Sequence, residues 1–131
     1  MKIRPMLESD INFVLSTWLK SYYEELRRNG AKGVIYPKDD VFFQGHQERI
    51  KELLKSAKCE ICTAPDDDNQ IIGWVAYDLN SIHYCYVKQV FRKMGVAKAL
   101  ISRALTARSY SHHTKYTRFI NKGLKYDPYK F

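Results

Sequence analysis

The stretch that decides the fold reads YCYVKQVFRKMGVAKALI and runs from Tyr84 to Ile101. Its first residues are aromatic, β-branched or small and apolar, which is typical of a strand, whereas its last residues repeat apolar side chains at helical spacing. A polar, basic loop from Gln89 to Gly95 separates the two. The sequence therefore predicts a strand that enters a basic loop and a helix, from Val96 to Ala107, that leaves it.

The loop has the chemistry of an anion-binding site. A helix N-terminus presents unpaired backbone N–H groups and a partial positive charge, and it can cradle a phosphate or pyrophosphate. Gly95 lets the backbone approach a ligand because it has no Cβ, and Ala97 keeps the first helical turn small. Arg92, Lys93 and Lys98 add positive charge. The chain has no GxxxxGK[ST] sequence of a Walker A site, and one glycine does not make a Rossmann fingerprint.

Toward the N-terminus, the pattern predicts a short strand followed by two helices. The strand covers Met1 to Pro5, and Ser9 or Asp10 can cap the helix that follows. Apolar residues at helical spacing continue to Asn29-Gly30, where that helix is expected to end. The second helix is predicted from Asp39 or Asp40 to about Ala57.

Three β-rich runs follow the second helix, and we expect them to form an antiparallel meander because polar turn clusters separate them. The runs are Cys59 to Ala64, Ile71 to Asp78 and Ile82 to Lys88, with turns at 65–70 and 80–81.

Beyond the decisive stretch, the sequence predicts a short strand from Arg108 to Ser111, a short helix from Lys115 to Lys122 and an extended piece from Leu124 to Phe131. The order β-α-α-β-β-β-α-β-α-β predicts an α+β, layered fold with a mixed, mostly antiparallel central sheet flanked by helices. The chain has 131 residues, no linker and no internal repeat, so we expect one domain over residues 1–131.

Charge and composition limit the partners. The chain has 22 basic and 14 acidic residues, a net charge of +8, which favours polyanions such as a phosphorylated cofactor, an acidic protein or nucleic acid. Nucleic acid is the weaker alternative, since no recognition-helix, zinc-finger or RRM signature is present. The pattern predicts neither a membrane span nor a signal peptide. Three cysteines are an odd number, which is typical of a reduced, cytoplasmic protein.

The six residues Arg92-Lys93-Met94-Gly95-Val96-Ala97 fit the pattern R/Q-x-x-G-x-G/A. This motif resembles the acetyl-CoA pyrophosphate loop of the GNAT superfamily of N-acetyltransferases, where it lies between the fourth strand and the third helix, the same count as here. IRPMLESDINFVLSTWL is similar to the family's first strand and helix, and DDDNQIIGWVAYD to its next hairpin. The resemblance implies a GNAT acyl-CoA N-acyltransferase fold, with a short C-terminal part similar to the lean GNAT proteins of bacterial viruses.

The resemblance also implies a reaction. Acetyl-CoA would be the co-substrate, and an amine on a small molecule or a protein would attack its thioester directly in a ternary complex. The pantetheine arm would pair with the backbone of Cys85, Tyr86 and Val87, where one N–H would stabilise the developing oxyanion. The pyrophosphate would bind the loop from Arg92 to Ala97 with Lys98 beside it. A homodimer is compatible with this interpretation.

The acid and the base are the less specific part of the resemblance. Many relatives have a tyrosine general acid on the fourth helix, four residues before a glycine, and Phe119 occupies that place. Tyr116, one turn earlier, is the candidate acid, with packing as its alternative role. Some relatives carry a glutamate base at a place that corresponds to about Ser81. His83, two residues further on the same face, is the candidate base here, because a histidine titrates in the right range. The alternatives are a structural role for this histidine and a water chain that removes the proton. Phe119 also suggests a rival function, a GNAT-like protein that binds acyl-CoA or a partner without catalysis.

The remaining candidates have simpler interpretations. Cys59 and Cys62 form a CxxC motif on a predicted strand, where residues three apart point to opposite faces, so no metal site is expected. We interpret Cys85 as a half-buried strand thiol rather than a nucleophile. Tyr22 is expected in the core, and Tyr36 is the candidate wall of the acceptor pocket.

Overall fold

The structure, a computed structural model, describes residues 1–29, 39–104, 106–111 and 124–126. Short 3-10 turns at Glu8–Asp10 and Gln89–Phe91 precede the first and third helices. The elements, in chain order, are β1 (Lys2–Pro5), α1 (Ile11–Asn29), α2 (Asp39–Ser56), β2 (Lys58–Ala64), β3 (Asp67–Tyr77), β4 (Ser81–Val87), α3 (Val96–Ile101), β5 (Ser109–Tyr110) and β6 (Lys125–Tyr126). The helix predicted from Lys115 to Lys122 lies outside the described residues.

The described strands form one sheet in the order β1-β2-β3-β4-β5-β6. The neighbours from β1 to β4 are antiparallel, whereas β5 runs parallel to β4 and β6 runs parallel to β5. The predicted meander and the mixed, mostly antiparallel sheet are confirmed. The candidate functional site lies where this direction changes, between β4 and β5.

The turn between β2 and β3 is shorter than the sequence predicts. The pattern places a polar turn over residues 65–70, but β3 already begins at Asp67. Thr63 pairs with Ile71 and Ala64 pairs with Asp67, so the register is irregular here. The backbone can extend the ladder because main-chain hydrogen bonds do not require apolar side chains, and the side chains of residues 67–70 are all exposed.

The third helix is also shorter than predicted. The apolar spacing suggests a helix to Ala107, whereas α3 ends at Ile101. The Ser102 hydroxyl donates to the Ala99 carbonyl at 2.6 Å, and the Arg103 N–H donates to the Leu100 carbonyl three residues back at 3.1 Å. The last turn therefore tightens and closes the helix, as serine side chains that compete for backbone groups often allow.

Two core clusters lie on opposite faces of the sheet. The first packs α1 and α2 against rings that include Trp18, Trp74 and Tyr84, and the second packs α3 against the other face. Cys59 belongs to the first cluster and Cys62 to the second. The prediction that the two thiols of the CxxC motif point to opposite faces is thus confirmed.

Gly73 on β3 permits a close approach of β4. A Cβ at this position would lie 2.5 Å from the Tyr86 carbonyl oxygen and 3.2 Å from the Val87 Cα. Both are backbone atoms, so a side chain could be accommodated only if β4 moved. Gly73 therefore sets the spacing of the two strands beneath Tyr86 and Val87.

A buried ion pair ties β1 to the start of α1. The guanidinium of Arg4 donates to both carboxylate oxygens of Asp10, at 2.7 and 3.1 Å. The second of the two expected caps, Asp10, also accepts the backbone N–H of Leu7 at 2.8 Å. The carboxylate thus reaches back to the residue before the helical turn, which is the returning half of a capping box.

Acid is expected to destabilise the fold through Asp10. The hydrogen bond from Arg4, opposed by burial and aided by the Leu7 N–H, lowers the pKa of Asp10 below its ordinary value. A carboxyl whose pKa is lower in the folded chain contributes stability above its unfolded pKa, near 4, and loses it as pH falls through the folded pKa. Asp10→Asn should cost about 1.5 kcal/mol at pH 7, the scale of charge-assisted hydrogen bonds, and less at pH 3.

Urea denaturation of both proteins at pH 7 and pH 3 measures this difference. Asp68→Asn is the matched control, since the ion pair between Asp68 and Lys2 is exposed on both sides and should matter little at either pH. An Asp10→Asn penalty that is the same at both pH values would contradict the assignment.

Candidate functional site

The pairing between β4 and β5 covers only the first residues of each strand. Ser81 lies opposite Ser109 and Ile82 opposite Tyr110, and the Ser111 N–H donates to the Ile82 carbonyl at 3.1 Å. Among the described residues, no strand pairs with β4 beyond this point on that side. The second half of β4 therefore presents a free backbone edge.

Alternation along β4 identifies the groups on this edge. The N–H of Lys88 donates to the Ile72 carbonyl at 2.9 Å, so the main-chain groups of Lys88 face β3. Since the direction of these groups alternates along a strand, those of Tyr86 also face β3, while those of Cys85 and Val87 face the free edge. Of the three residues that the sequence singled out, Cys85 and Val87 thus offer their N–H groups to a ligand.

The basic loop is attached to the same edge. The Nε–H of Arg92 donates to the carbonyl of Val87 at 2.9 Å. This bond connects the first residue of the motif with the last residue of β4. The loop and the free edge consequently form one continuous surface.

The backbone of the loop requires a glycine for a reason that the sequence did not reveal. Gly95 is the N-cap of α3 and has a φ of 83°, in the left-handed region that favours glycine. Lys93 shares this conformation, with a φ of 65°. The space around Gly95 is open, because a Cβ there would meet no heavy atom within 4 Å. The glycine is therefore needed for its conformation, and the open space is available to a ligand.

The other loop residues divide into an anchor and an exposed rim. Val96 is buried in the second core cluster beside Leu100, which fixes the start of α3 against the sheet. Lys93 and Met94 of the loop and Ala97 and Lys98 of the first turn of α3 are exposed. Two cations, Lys93 and Lys98, thus border the N-terminus of α3, an arrangement that suits an anionic ligand.

His83 lies on β4 but not beside the loop. Its ring is fully buried, with Nε2 2.8 Å from Asp78 Oδ2 and Nδ1 2.9 Å from Ser111 Oγ. Burial opposes ionisation of Asp78, but hydrogen bonds from the Asn80 N–H, from His83 and from the Ser81 N–H hold the pKa of this carboxyl below its ordinary value. Because Asp78 is a carboxylate at neutral pH, it accepts a hydrogen bond from Nε2–H, and in the neutral ring Nδ1 then accepts a hydrogen bond from the Ser111 hydroxyl.

The Cys85 thiol has the environment of a packing residue. Burial, with a small contribution from Cys62, raises its pKa to about 12. A thiol with such a pKa is not a thiolate at neutral pH, and the thiolate is the nucleophilic form. Among the described residues, no group of three or more His, Cys, Asp or Glu side chains could hold a metal ion.

Aromatic side chains pack between β4 and α1, in the first core cluster. Tyr84 stacks on Trp18 with ring centroids 5.1 Å apart, and its hydroxyl lies 2.7 Å from Ser21 Oγ. Burial raises the pKa of Tyr84 above its ordinary value. Tyr22 packs against the first core cluster and meets Tyr84 edge-on, as the sequence suggests. These rings hold β4 firmly from one face.

Several candidates from the sequence lie outside the described residues, namely Tyr36, Tyr116 and Phe119. Conversely, sequence reasoning did not single out Asp78, Ser111 or Gly73. The available signal for Asp78 was its place before Asn80-Ser81, because an aspartate there commonly caps a turn. Nothing in the local sequence linked it to His83.

No helix in the described ranges has the length and apolar character to cross a membrane.

Comparison with known proteins gives a consistent result. A family model described as "Acetyltransferase (GNAT) family" matches residues 15–121. No curated protein sequence matches the chain.

Among solved structures, a ribosomal-protein-alanine N-acetyltransferase from Brucella melitensis biovar Abortus 2308 is similar over 97% of this chain and 91% of that one, with 18% identity and a TM-score of 0.58. An acetyltransferase from Vibrio fischeri is similar over 95% of this chain and 91% of its own, with 17% identity and a TM-score of 0.52. A GCN5-related N-acetyltransferase from Rhodopseudomonas palustris is similar over 78% of this chain, with 14% identity and a TM-score of 0.55, and the match spans 61% of its own length. At these identities the likeness concerns the fold.

Proposed function

The chain belongs to the acetyltransferase (GNAT) family, and we propose that it transfers an acetyl group from acetyl-CoA to a primary amine, which attacks the thioester directly in a ternary complex. The observation that carries the proposal is the free edge of β4, joined by the bond between Arg92 and Val87 to a loop with a left-handed glycine. An extended pantetheine arm needs such an edge, and the pyrophosphate needs such a loop.

The arm would bind β4 as an added strand. The N–H and C=O groups of Cys85 and the N–H of Val87 face the edge, so they are the groups that would pair with the amides of pantetheine, whereas the Val87 carbonyl already accepts from Arg92. The main-chain groups of Tyr86 face β3, so Tyr86 would lie beside the arm without a main-chain hydrogen bond to it. The N–H of Cys85 or Val87 would also polarise the thioester carbonyl and stabilise the oxyanion that develops as the amine attacks.

The loop from Arg92 to Ala97 would hold the pyrophosphate. Gly95 leaves the first N–H groups of α3 accessible, and the exposed Lys93 and Lys98 attract the anion. Arg92 acts in this proposal mainly on the loop itself, since its Nε–H is engaged by the Val87 carbonyl. The net charge of +8 then serves an anionic cofactor.

The chemistry requires one proton for the thiolate and the release of one from the amine. Tyr116 remains the proposed acid for the thiolate. His83 remains the candidate on the basic side, although it is fully buried and bonded at both nitrogens. It cannot contact the acceptor in this arrangement, so any action on the proton would pass through a neighbour. The acceptor is an amine on a small molecule or a protein, and we propose a cytoplasmic location.

Titration of the protein with acetyl-CoA in a calorimeter tests the proposal. We expect saturable binding that weakens as salt is raised, because part of the attraction comes from exposed lysines. Binding to duplex DNA should be weak at physiological salt. Steeply salt-dependent DNA binding together with no response to acetyl-CoA would instead favour a nucleic-acid-binding protein.

A second function is favoured by Phe119, which occupies the place of the usual acid and cannot donate a proton. The chain would then bind acyl-CoA, or a partner, without transferring the acetyl group. Turnover distinguishes the two, since release of free CoA in the presence of amines is expected only from the enzyme.

A further inference from the structure

Beyond the proposed acetyl transfer, on which it rests, we propose that His83 and Ser111 are positioning residues for the cofactor. Together with Asp78 they form a polar bridge that holds a bend of β4 in place, and the edge that would bind the pantetheine arm begins directly after that bend. Nε2 of His83 lies 2.8 Å from Asp78 Oδ2, and Nδ1 lies 2.9 Å from Ser111 Oγ. The polar bridge thus joins the turn before β4, β4 itself and the end of β5.

The bend of β4 lies at His83. Ala76 on β3 pairs with Tyr84, and Tyr77 pairs with Ile82, so His83 is one extra residue that no residue of β3 opposes. Such a β-bulge bends the strand, increases its twist and re-aims the side chain of the extra residue. The ladder to β3 therefore does not fix His83, and the conformation of the bend depends on the contacts of its side chain.

The turn between β3 and β4 fixes one end of the polar bridge. Oδ1 of Asp78 accepts the N–H of Asn80 at 2.9 Å and the N–H of Ser81 at 2.8 Å, while Oδ2 accepts from His83. Main-chain donors thus hold the carboxylate in one orientation. It offers the imidazole ring a rigid acceptor, and a hydrogen bond to a charged group is stronger than one between neutral groups.

The other end of the polar bridge lies at the last described rung between β4 and β5. Within the described residues β5 is two residues long, and Ser111, which follows it, donates its N–H to the Ile82 carbonyl at 3.1 Å. A parallel pairing of so few residues supplies few main-chain hydrogen bonds. The side-chain bond between His83 and Ser111 is therefore expected to contribute a large share of what holds the two strands together here.

Burial makes the bonds of the polar bridge difficult to replace. His83 is 1% exposed and Ser111 is 4% exposed. A buried polar group that loses its hydrogen-bond partner also has no water to replace it, which is unfavourable. Without the Ser111 hydroxyl, the ring of His83 must either keep an unsatisfied Nδ1 or move, and both outcomes loosen the bend.

The edge of β4 begins two residues beyond the bend. Cys85, whose N–H and C=O would pair with the pantetheine arm, lies about 7 Å along the strand from His83. A ligand that adds as a strand binds most tightly to an edge that is already in place, because the ordering of a loose segment reduces affinity. Loss of the polar bridge should thus weaken binding of the arm and leave binding of the phosphates unchanged.

The same two strands offer a matched control. Ser81 Oγ and Ser109 Oγ lie 2.6 Å apart, and both residues are buried. They are also directly paired in the ladder between β4 and β5, so the backbone holds them when a hydroxyl is removed. Ser109→Ala therefore removes a buried hydroxyl from β5, as Ser111→Ala removes one at its end, without a change at the bend.

Calorimetry measures binding of two ligands, acetyl-CoA and 3′-phospho-ADP, the part of CoA that carries the phosphates and lacks the pantetheine arm. We expect His83→Phe and Ser111→Ala to weaken acetyl-CoA binding about tenfold and to leave 3′-phospho-ADP binding unchanged. Ser109→Ala should match the wild type with both ligands, and Ser111→Thr, which keeps the hydroxyl, should recover most of the affinity. Urea denaturation checks that each variant is folded. Because the readout is binding and not turnover, it is independent of any role of His83 in proton transfer.

Two further measurements test whether His83 and Ser111 act through one bond. A variant with both His83→Phe and Ser111→Ala should lose no more affinity for acetyl-CoA than the weaker-binding single variant, because coupled residues are not additive. His83→Phe keeps the serine and its hydroxyl, yet the Ser111 amide should exchange its hydrogen at least about tenfold faster in it, since the rung to Ile82 opens more often. This exchange should be unchanged in Ser109→Ala.

The outcomes separate the polar bridge from the proposed function. Equal acetyl-CoA affinities in Ser111→Ala and Ser109→Ala, equal losses for the two ligands, additive losses in the double variant, or unchanged exchange at Ser111 in His83→Phe would each overturn the positioning role and leave acetyl transfer in place. A wild type that does not bind acetyl-CoA would overturn the positioning role and the proposed function together.

Discussion

Tyr116→Phe is expected to retain the affinity for acetyl-CoA and to lower kcat by about 10²–10⁴-fold, the range that general acid catalysis contributes. The thiolate of CoA must gain a proton as it leaves, and Phe119 cannot supply one. Tyr116 is the tyrosine one turn earlier on the predicted fourth helix. The substitution removes only a hydroxyl, so the change acts in the transition state and leaves ground-state binding intact.

Calorimetry for binding and CoA release for turnover measure the two effects separately. Tyr110→Phe is the matched control, because Tyr110 is buried in the core cluster that contains α3 and should retain kcat. Full activity in Tyr116→Phe would mean that solvent or CoA itself supplies the proton. A wild type that binds acetyl-CoA without any turnover would favour the non-catalytic function.

Gly95→Asp is expected to weaken acetyl-CoA binding by one to two orders of magnitude, each tenfold corresponding to about 1.4 kcal/mol. The substitution places a carboxylate at the N-terminus of α3, where the pyrophosphate would bind. The side chain fits sterically, since no heavy atom lies within 4 Å of the Cβ position, so the variant should fold. The loss then comes from charge and from the left-handed backbone.

Gly95→Asn separates these two causes. Asparagine has nearly the same size as aspartate and tolerates the left-handed region comparably well, but it is neutral. We expect its affinity to lie between those of the wild type and Gly95→Asp, with the difference between the variants shrinking at high salt. A folded Gly95→Asp protein with wild-type affinity would remove the basis for placing the pyrophosphate on this loop.

The sequence was informative wherever the signal was local. Apolar spacing predicts α1 and the meander, and the run from Arg92 to Ala97 predicts the loop and its place between β4 and α3. The spacing of apolar residues predicts too long an α3, because apolar residues continue to Ala107. The helix ends at Ile101, where the Ser102 hydroxyl donates a hydrogen bond to the Ala99 carbonyl in the preceding turn. The same spacing predicts too short a β3, whose first residues are polar and exposed.

The contact between His83 and Ser111 could not be predicted, because it depends on pairing between distant segments. Ser111 is 28 residues away along the chain, and the two meet only because β5 runs parallel to β4. A register irregularity also falls here, since Ala76 pairs with Tyr84 while Tyr77 pairs with Ile82. Side-chain direction on β4 near His83 therefore does not follow from counting residues in the sequence.

The site on β4 is also expected to be sensitive to substitution of Gly73, which lies on the neighbouring strand β3. A Cβ on Gly73 would lie 2.5 Å from the Tyr86 carbonyl oxygen, so its absence lets β3 and β4 lie close together. The far side of β4 at this level carries the edge groups of Val87. A larger residue at position 73 is therefore expected to shift β4, and with it the edge groups of Val87. Tolerance to substitution in this protein thus depends on the spacing of its strands as well as on its surface, and Gly73 affects the position of an edge that is proposed to bind a ligand.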